Sequence, residues 1–130
     1  PGIPMAIMFP SKQFSLLDSN GKKTRFLVQA KLSLALENID VLNVRVEDLP
    51  SEKLFDQIMS RAFTALDNMV SLCKHLLSKN GQFLAMKGLV PDSEIAMMDS
   101  NYEVTDITPL TVPGCTDQRH LVTVKPTSNY

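Results

Sequence analysis

A chain of 130 residues with 44% hydrophobic and 21% charged side chains has the length of one domain with an ordinary core and leaves no room for a second. Its formal net charge of −1 excludes a general positive field, so affinity for nucleic acid has to come from a local patch. No apolar run approaches the length of a bilayer span, and the opening PGIPMAIMFP has neither a basic leader nor a small-residue cleavage site, so the expectation is a cytoplasmic protein.

The chain starts at Pro1, without an initiator Met, in what reads as the end of a turn. GIP followed by Met5, Ala6, Ile7 and Met8 predicts a short first helix, with Pro4 in the first turn where its missing N–H does no harm. A helix this early in a βαβ fold implies a strand before it, and the chain therefore reads as a fragment. Phe14, Leu16 and Leu17 predict a short buried strand closed by Asp18, and Ser19, Asn20 and Gly21 supply turn chemistry. Lys22 opens a helix that runs to Leu36. Its Phe26, Ala30 and Leu34 fall four apart, with Leu27 and Leu32 widening the face, so the helix is expected to pack on a sheet with Lys22, Lys23, Arg25 and Lys31 outward. Strand, acid, turn and helix in this order are the layout of a nucleotide-binding crossover, where an ionised acid at the strand's carboxyl end accepts hydrogen bonds from both ribose hydroxyls. Asp18 suits that role. The alternative is an Asp that only caps the following helix, and position alone leaves both readings open.

Ile39 to Val46, rich in β-branched residues, predicts a second strand, with Glu47 and Asp48 just past its end. Residues 49 to 52 make a connection with room for one helical turn, and Phe55 to Ser60 form the third strand with Arg61 at its carboxyl end. Leu66, Met69, Val70, Cys73, Leu76 and Leu77 follow helical spacing, and Lys79, Asn80 and Gly81 supply a cationic last turn and a left-handed stop. Gln82 to Lys87 predicts a fourth strand ending at Gly88. Pro91 to Met98 predicts a helix, with Asp92, Ser93 and Glu94 favourable in its first turn. Tyr102 to Leu110 and His120 to Lys125 are strands joined by a loop containing Pro113 and Gly114, with no helix between, so they should be antiparallel neighbours. The fold class is therefore α/β: a mostly parallel sheet that finishes in an antiparallel hairpin. That ending favours the methyltransferase variant of the doubly wound fold over a dinucleotide-binding domain, which would continue with another parallel crossover.

Two cysteines make no disulfide framework. Cys73 lies on a helical apolar stripe as a small core residue, and Cys115 sits in the Pro/Gly loop. With His75 and His120 as the only histidines there is no metal-ligand spacing, and a Cys/His catalytic pair stays open.

In order and at these spacings, the blocks PGIPMAI, LLDSNGKKTRFL, NVRVEDLP, FDQIMSRAF and FLAMKG, with RHLVTVK at residues 119 to 125, resemble the bacterial small-subunit ribosomal RNA methyltransferase G family, also called glucose-inhibited division protein B. The resemblance runs from Pro1 to about Lys125. It implies a Rossmann-like class I S-adenosylmethionine-dependent enzyme that methylates N7 of a guanine in 16S ribosomal RNA, on naked RNA or on the small-subunit particle, with no membrane partner. In the family a first strand and a Gly-rich loop precede the PGIP block, and an N-terminal helical region precedes them. This chain then corresponds to roughly the C-terminal two-thirds, a partial methyltransferase domain over residues 1–130. The missing strand would be central, leaving two hydrogen-bonding edges unpaired and open to self-association.

Carried over residue by residue, the resemblance implies that Asp18, with Ser19 beside it, binds the cofactor ribose, and that Val46 and Glu47 line the adenine. It implies that Arg61 faces the cofactor pocket, touching the methionine carboxylate or the target guanine. The guanidinium, next to small Ala62 and aromatic Phe63, suits bidentate binding of a carboxylate or stacking on a base; the alternative is an ion pair with Asp56 or Asp67. Lys22 and Arg25 could meet RNA phosphate, against the alternative of a merely solvated helix face. Lys87 is divided between RNA contact and an ion pair. No residue is assigned as catalytic, because guanine N7 carries an exposed lone pair and no proton, so methyl transfer needs alignment rather than a general base. No metal is expected, since the cysteines and histidines show no metal-ligand spacing.

Two other readings compete. One is a nicotinamide-dependent oxidoreductase that also uses Asp18 on a ribose; the terminal hairpin and the lack of a Tyr/Lys or His proton donor at a strand end argue against it. The other is a truncated, non-catalytic domain that pairs with another chain. The expectation is a methyltransferase as the parent protein, with the fragment alone weak or inactive.

Overall fold

The computed structural model describes residues 1–61, 63–89 and 91–127. They form two compact units, Pro1–Leu49 and Pro50–Tyr130. No helix among the described residues is long and apolar enough to cross a membrane.

The first unit runs α1 (Gly2–Met8), β1 (Phe14–Asp18), α2 (Gly21–Ser33) and β2 (Ile39–Asn43), followed by a single 3₁₀ turn at Val46–Asp48. β1 and β2 pair in parallel, from Phe14 opposite Ile39 to Asp18 opposite Asn43. β2 therefore stops three residues short of the expected Val46. β1 ends at Asp18, so residues 44 to 46 find no ladder partner there, and Val46 enters the 3₁₀ turn instead. The single helical turn expected at 49 to 52 lies at Val46–Asp48 for the same reason.

The apolar stripe expected on α2 is covered only in part, at Leu27 and Ala30, which are half-buried. Phe26 is 69% exposed and Leu34 51%, whereas Thr24 is buried and Leu27 and Lys31 are half-buried. A two-stranded sheet offers a narrow surface, and the side of the helix at 24, 27, 30 and 31 takes it. Lys31, expected outside, runs its stem inward and donates from Nζ to the Ile39 carbonyl at 2.6 Å, an arrangement its long apolar stem permits. The helix ends earlier than Leu36, in a left-handed turn at Ala35 (φ 52°), with the Leu36 N–H donating back to the Lys31 carbonyl at 3.0 Å. This is the wrap that closes helix ends, at a position usually given to glycine. Asn38 then ties the unit together, its Nδ2 lying 3.1, 3.3 and 3.0 Å from the carbonyls of Ala6, Phe9 and Lys12.

The second unit runs β3 (Phe55–Arg61), α3 (Leu66–Cys73), a 3₁₀ turn (Lys74–Leu76), β4 (Leu77–Lys87), α4 (Asp92–Ala96), β5 (Tyr102–Pro109) and β6 (His120–Pro126). Its sheet has the order β3-β4-β6-β5: β3 and β4 are parallel, β4 with β6 and β6 with β5 antiparallel. The expected terminal hairpin is present, with the last strand inserted beside β4 and β5 at the rim of the sheet. Leu66, Met69, Val70, Cys73 and Leu76 are all buried, as their spacing predicts. They share the core with Phe83, Ala85, Val122 and Val124, and the rings of Phe83 and Tyr102 lie 6.0 Å apart at 59°.

The end of α3 differs from expectation. The helix tightens at Lys74, and Leu77 already pairs with Phe55, so Lys79, Asn80 and Gly81 belong to β4 rather than to a helix stop. Gly81 is not left-handed. A Cβ there would stand 3.0 Å from the Asp56 carbonyl and 2.7 Å from Leu77 Cδ1; close approach of the β3 backbone is what requires glycine. α4 covers Asp92–Ala96, shorter than the expected 91 to 98.

Replacing Ala35 by Gly should stabilise the full-length protein by about 0.5–1 kcal/mol by relieving the left-handed backbone, read as a higher urea midpoint. Asn38→Ala should cost about 1–3 kcal/mol, because several carbonyls lose their donor at once; an unchanged midpoint would show that solvent replaces the side chain.

Candidate functional site

In parallel units the crevice lies at the carboxyl ends of the strands, and each unit has such a rim. On the first, Asp18 and Asn43 are opposite each other in register. Asp18 Oδ1 accepts the Asn20 N–H at 2.8 Å, and Asn20 Oδ1 in turn accepts the Lys22 N–H at 2.9 Å as the cap of α2. The helix cap is therefore Asn20, and Asp18 acts one step upstream by shaping the turn. A carboxylate has about four lone-pair positions, and one is engaged here. The rest of the group, half-buried at a strand end, can accept from a diol.

Asn43 was not legible as a site residue. Its amide nitrogen, in the orientation that satisfies both ends of the group, donates to the carbonyls of Asp18 and Ser19 at 3.2 Å each, fixing the acid's backbone from the neighbouring strand. The only sequence signal was its offset from Asp18 once both strands were aligned. Gly21 lies close below, where an added Cβ would come within 3.7 Å of the Asn43 side-chain amide. Val46 and Glu47 stand in the 3₁₀ turn just beyond. The carbonyls of Arg45 and Val46 accept from Asp48 and Leu49, an arrangement that leaves the first N–H groups of a helical turn without an internal acceptor. Glu47 is exposed. Lys22 and Arg25 are exposed on α2, without an ion pair among the described residues.

On the second rim, Arg61 ends β3, exposed and opposite Met86 of β4. Among the described residues it forms no ion pair with Asp56 or Asp67; Asp56 instead accepts from the Ser78 hydroxyl at 3.1 Å. Ala62 lies outside the described residues, and Phe63 is 46% exposed. Lys87, one residue past Met86, is held twice: its Nζ is 2.9 Å from Glu94 Oε1 and 2.9 Å from the Thr64 carbonyl. Of the two alternatives for Lys87, the ion pair is present. Glu94 Oε1 also accepts the Leu66 N–H at 2.6 Å, capping α3, which has no side-chain cap of its own. His120, opposite Lys87 on β6, places Nδ1 2.7 Å from the Gly88 carbonyl. Thr64, Glu94 and His120 were missed because they come from three separate segments that only the sheet brings to one edge.

Burial raises the Glu94 carboxyl, but the hydrogen bonds from Lys87 and the Leu66 N–H, with the Lys87 charge, outweigh it and hold the group below the usual glutamate value. On the far loop, the Arg119 side chain, with the Asp117 backbone, holds the Cys115 thiol below its ordinary value.

A family model described as rRNA small subunit methyltransferase G matches residues 1–122. The ribosomal RNA small subunit methyltransferase G of Marinobacter nauticus is 53% identical over 124 residues, covering 95% of this chain and 58% of the relative. That of Enterobacter sp. (strain 638) is 52% identical over 126 residues, covering 97% and 61%. The chain thus spans about three-fifths of the length of the curated relatives it matches. Among solved structures, TrmN from Thermus thermophilus has a TM-score of 0.75 at 15% identity, covering 95% of this chain and 40% of that one. M. jannaschii TYW2 in complex with AdoMet has a TM-score of 0.70 at 11% identity, covering 95% and 63%. At such identities the likeness establishes the fold, a Rossmann-like methyltransferase architecture.

A folded-state pKa below the unfolded one means that the ionised Glu94 stabilises at neutral pH. That contribution should fade as the pH falls from the ordinary glutamate value, about 4.3, through the depressed folded one. Urea unfolding across this window should show the gap between the full-length protein and its Glu94→Gln variant closing with acidification; a constant gap would mean that the charge contributes nothing.

Proposed function

The chain belongs to the rRNA small subunit methyltransferase G family, and from that premise we propose that the protein transfers a methyl group from S-adenosylmethionine to N7 of a guanine in 16S ribosomal RNA. The 130 residues act as one part of its methyltransferase domain, and the reaction is cytoplasmic. Family membership favours this reading over a nicotinamide-dependent oxidoreductase.

The observation that carries the cofactor side is the Asp18 rim. A ribose diol needs a short, fixed, ionised acceptor, and Asp18 is fixed by the Asn20 N–H on its carboxylate and by Asn43 on its backbone while keeping acceptor capacity. The donor set fits the group. In this reading Asp18 accepts from the ribose hydroxyls, with Ser19 beside it. The Val46 N–H and the Glu47 carboxylate read the adenine edge, and Arg61 holds the methionine carboxylate or the guanine. The cofactor supplies a methyl group already activated on a sulfonium. What remains for the protein is to hold N7 in line with it and to exclude water, which is catalysis by orientation. No general base is needed, since N7 has no proton to lose. Lys22 and Arg25, as exposed cations on α2, are the RNA-phosphate candidates; Lys87 serves the rim through its ion pair.

The direct test is transfer of labelled methyl from S-adenosylmethionine to 16S RNA, free or in the small-subunit particle, by the full-length protein, with the site read by aniline-induced strand scission at 7-methylguanosine. Label at a position that does not cleave would exclude N7. In the same protein Asp18→Asn should weaken S-adenosylhomocysteine binding about tenfold or more, since a hydrogen bond to a charged group is worth about 1.5–3 kcal/mol, with little change in melting temperature. Calorimetry showing equal affinity would remove Asp18 from the site.

A further inference from the structure

Resting on the methyl-transfer reading, we infer that Glu94 is a positioning residue: its carboxylate clamps Lys87 and the start of α3 together and so fixes the backbone on which Arg61 and Phe63 are presented. The argument is geometric. One oxygen, Glu94 Oε1, accepts the Leu66 N–H at 2.6 Å and the Lys87 ammonium at 2.9 Å. The same ammonium donates to the Thr64 carbonyl at 2.9 Å. Three segments remote in sequence are thereby closed into one cluster: the stretch leading from β3 into α3, the carboxyl end of β4, and α4. Lys87 is only 19% exposed and Glu94 29%, so the pair is shielded enough for the charge to matter more than in an open surface pair.

The cluster lies immediately beside exposed groups. Arg61 is three residues before Thr64 and one register position from Lys87, and Phe63, 46% exposed, is bonded to Thr64. Neither side chain has a hydrogen bond or ion pair of its own among the described residues, and the β3 ladder ends at Arg61, opposite Met86. Past the end of the ladder the backbone is held at Thr64 by Lys87 and at Leu66 by Glu94, and the Glu94 carboxylate engages both Lys87 and Leu66. A reaction that depends on alignment loses rate when such a support shifts by an ångström, by up to about a hundredfold. Glu94 touches no reacting atom in this account. It acts through Lys87 and the α3 terminus.

The test uses the full-length protein, its Glu94→Gln and Lys87→Met variants and the double variant. Four quantities are read: kcat for transfer to 16S RNA, affinity for S-adenosylhomocysteine, melting temperature, and amide exchange at residues 63–66. Glu94→Gln, which keeps the side chain's size, is expected to lower kcat about ten- to a hundredfold and to speed exchange at 63–66, with S-adenosylhomocysteine affinity changed less than about threefold. Adding it to Lys87→Met should cost less than about twofold more, since the two residues act as a unit. Unchanged kcat, a fall in kcat only in step with affinity and melting temperature, unaltered exchange at 63–66, or additive single effects would each overturn the inference. An unsubstituted protein that transfers no methyl would overturn the functional reading instead, and this inference with it; an active protein indifferent to Glu94→Gln overturns the inference alone.

Discussion

Parallel pairing forces the carboxyl ends of adjacent strands to one rim, and in the second unit that constraint acts through β4. Its residues from Phe83 to Lys87 pair with β6 on one side, and those from Gln82 to Met86 pair with β3 on the other. Buried backbone polar groups have to be hydrogen-bonded, so a strand engaged on both sides cannot slide without breaking two ladders at once. Register then decides position. Arg61 falls opposite Met86, Lys87 opposite His120, and the end of β5 at Pro109 reaches the same edge. The core of Leu66, Met69, Val70, Phe83, Ala85, Val122 and Val124 covers one face of this sheet, since Phe83 pairs with Val124 and Ala85 with Val122, and leaves the rim for polar groups.

Within each unit, a few amides and charges do the work of joining loops that apolar packing does not hold. Asn38 gathers carbonyls from the last turn of α1 and the loop after it, Asn20 starts α2, Lys31 closes on the start of β2, and Glu94 caps a helix to which it does not belong. Each sits where backbone groups lack partners in regular structure: a helix end, a strand entry, a turn. The helices here are short. Propensity alone would not keep α3, with eight residues, helical, so its cap and its buried stripe both count.

Much of this was legible along the chain, for physical reasons that can be named. Phe14, Leu16 and Leu17 before Asp18 mark β1 to the residue, because a short apolar run closed by turn residues has few other uses. The stripe from Leu66 to Leu76 found the buried side of α3 because period 3.6 with only apolar members leaves no second choice of face. The hairpin of β5 and β6 followed from two strands with a Pro/Gly loop and nothing helical between them. Asp18 was singled out from its position at a strand end, and the ordered blocks from PGIPMAI to RHLVTVK were enough to suggest the family that the comparisons establish. On α2 the same method succeeded only in part. Apolar and polar residues are mixed around that helix, so Phe26, Ala30 and Leu34, widened by Leu27 and Leu32, formed one plausible face among several. The narrow two-stranded surface covers Thr24, Leu27, Ala30 and Lys31, while Phe26, Leu32 and Leu34 stay exposed.

Local pattern, then, determined element types, the acid at the end of β1 and membership in the family, because these depend on residues adjacent in sequence or on their order. Tertiary structure alone decided where strands stop, why Gly81 is glycine, and which side chains support the candidate site. β2 ends at Asn43 since β1 has no more residues to pair with it; Gly81 answers to the carbonyl of Asp56, 25 positions away. The contacts of Asn43 with Asp18, and of Glu94 with Lys87 and Leu66, join groups with no sequence periodicity between them. Hydrogen bonds of that kind are specified by register and chain crossing, quantities that exist only once the sheet has formed.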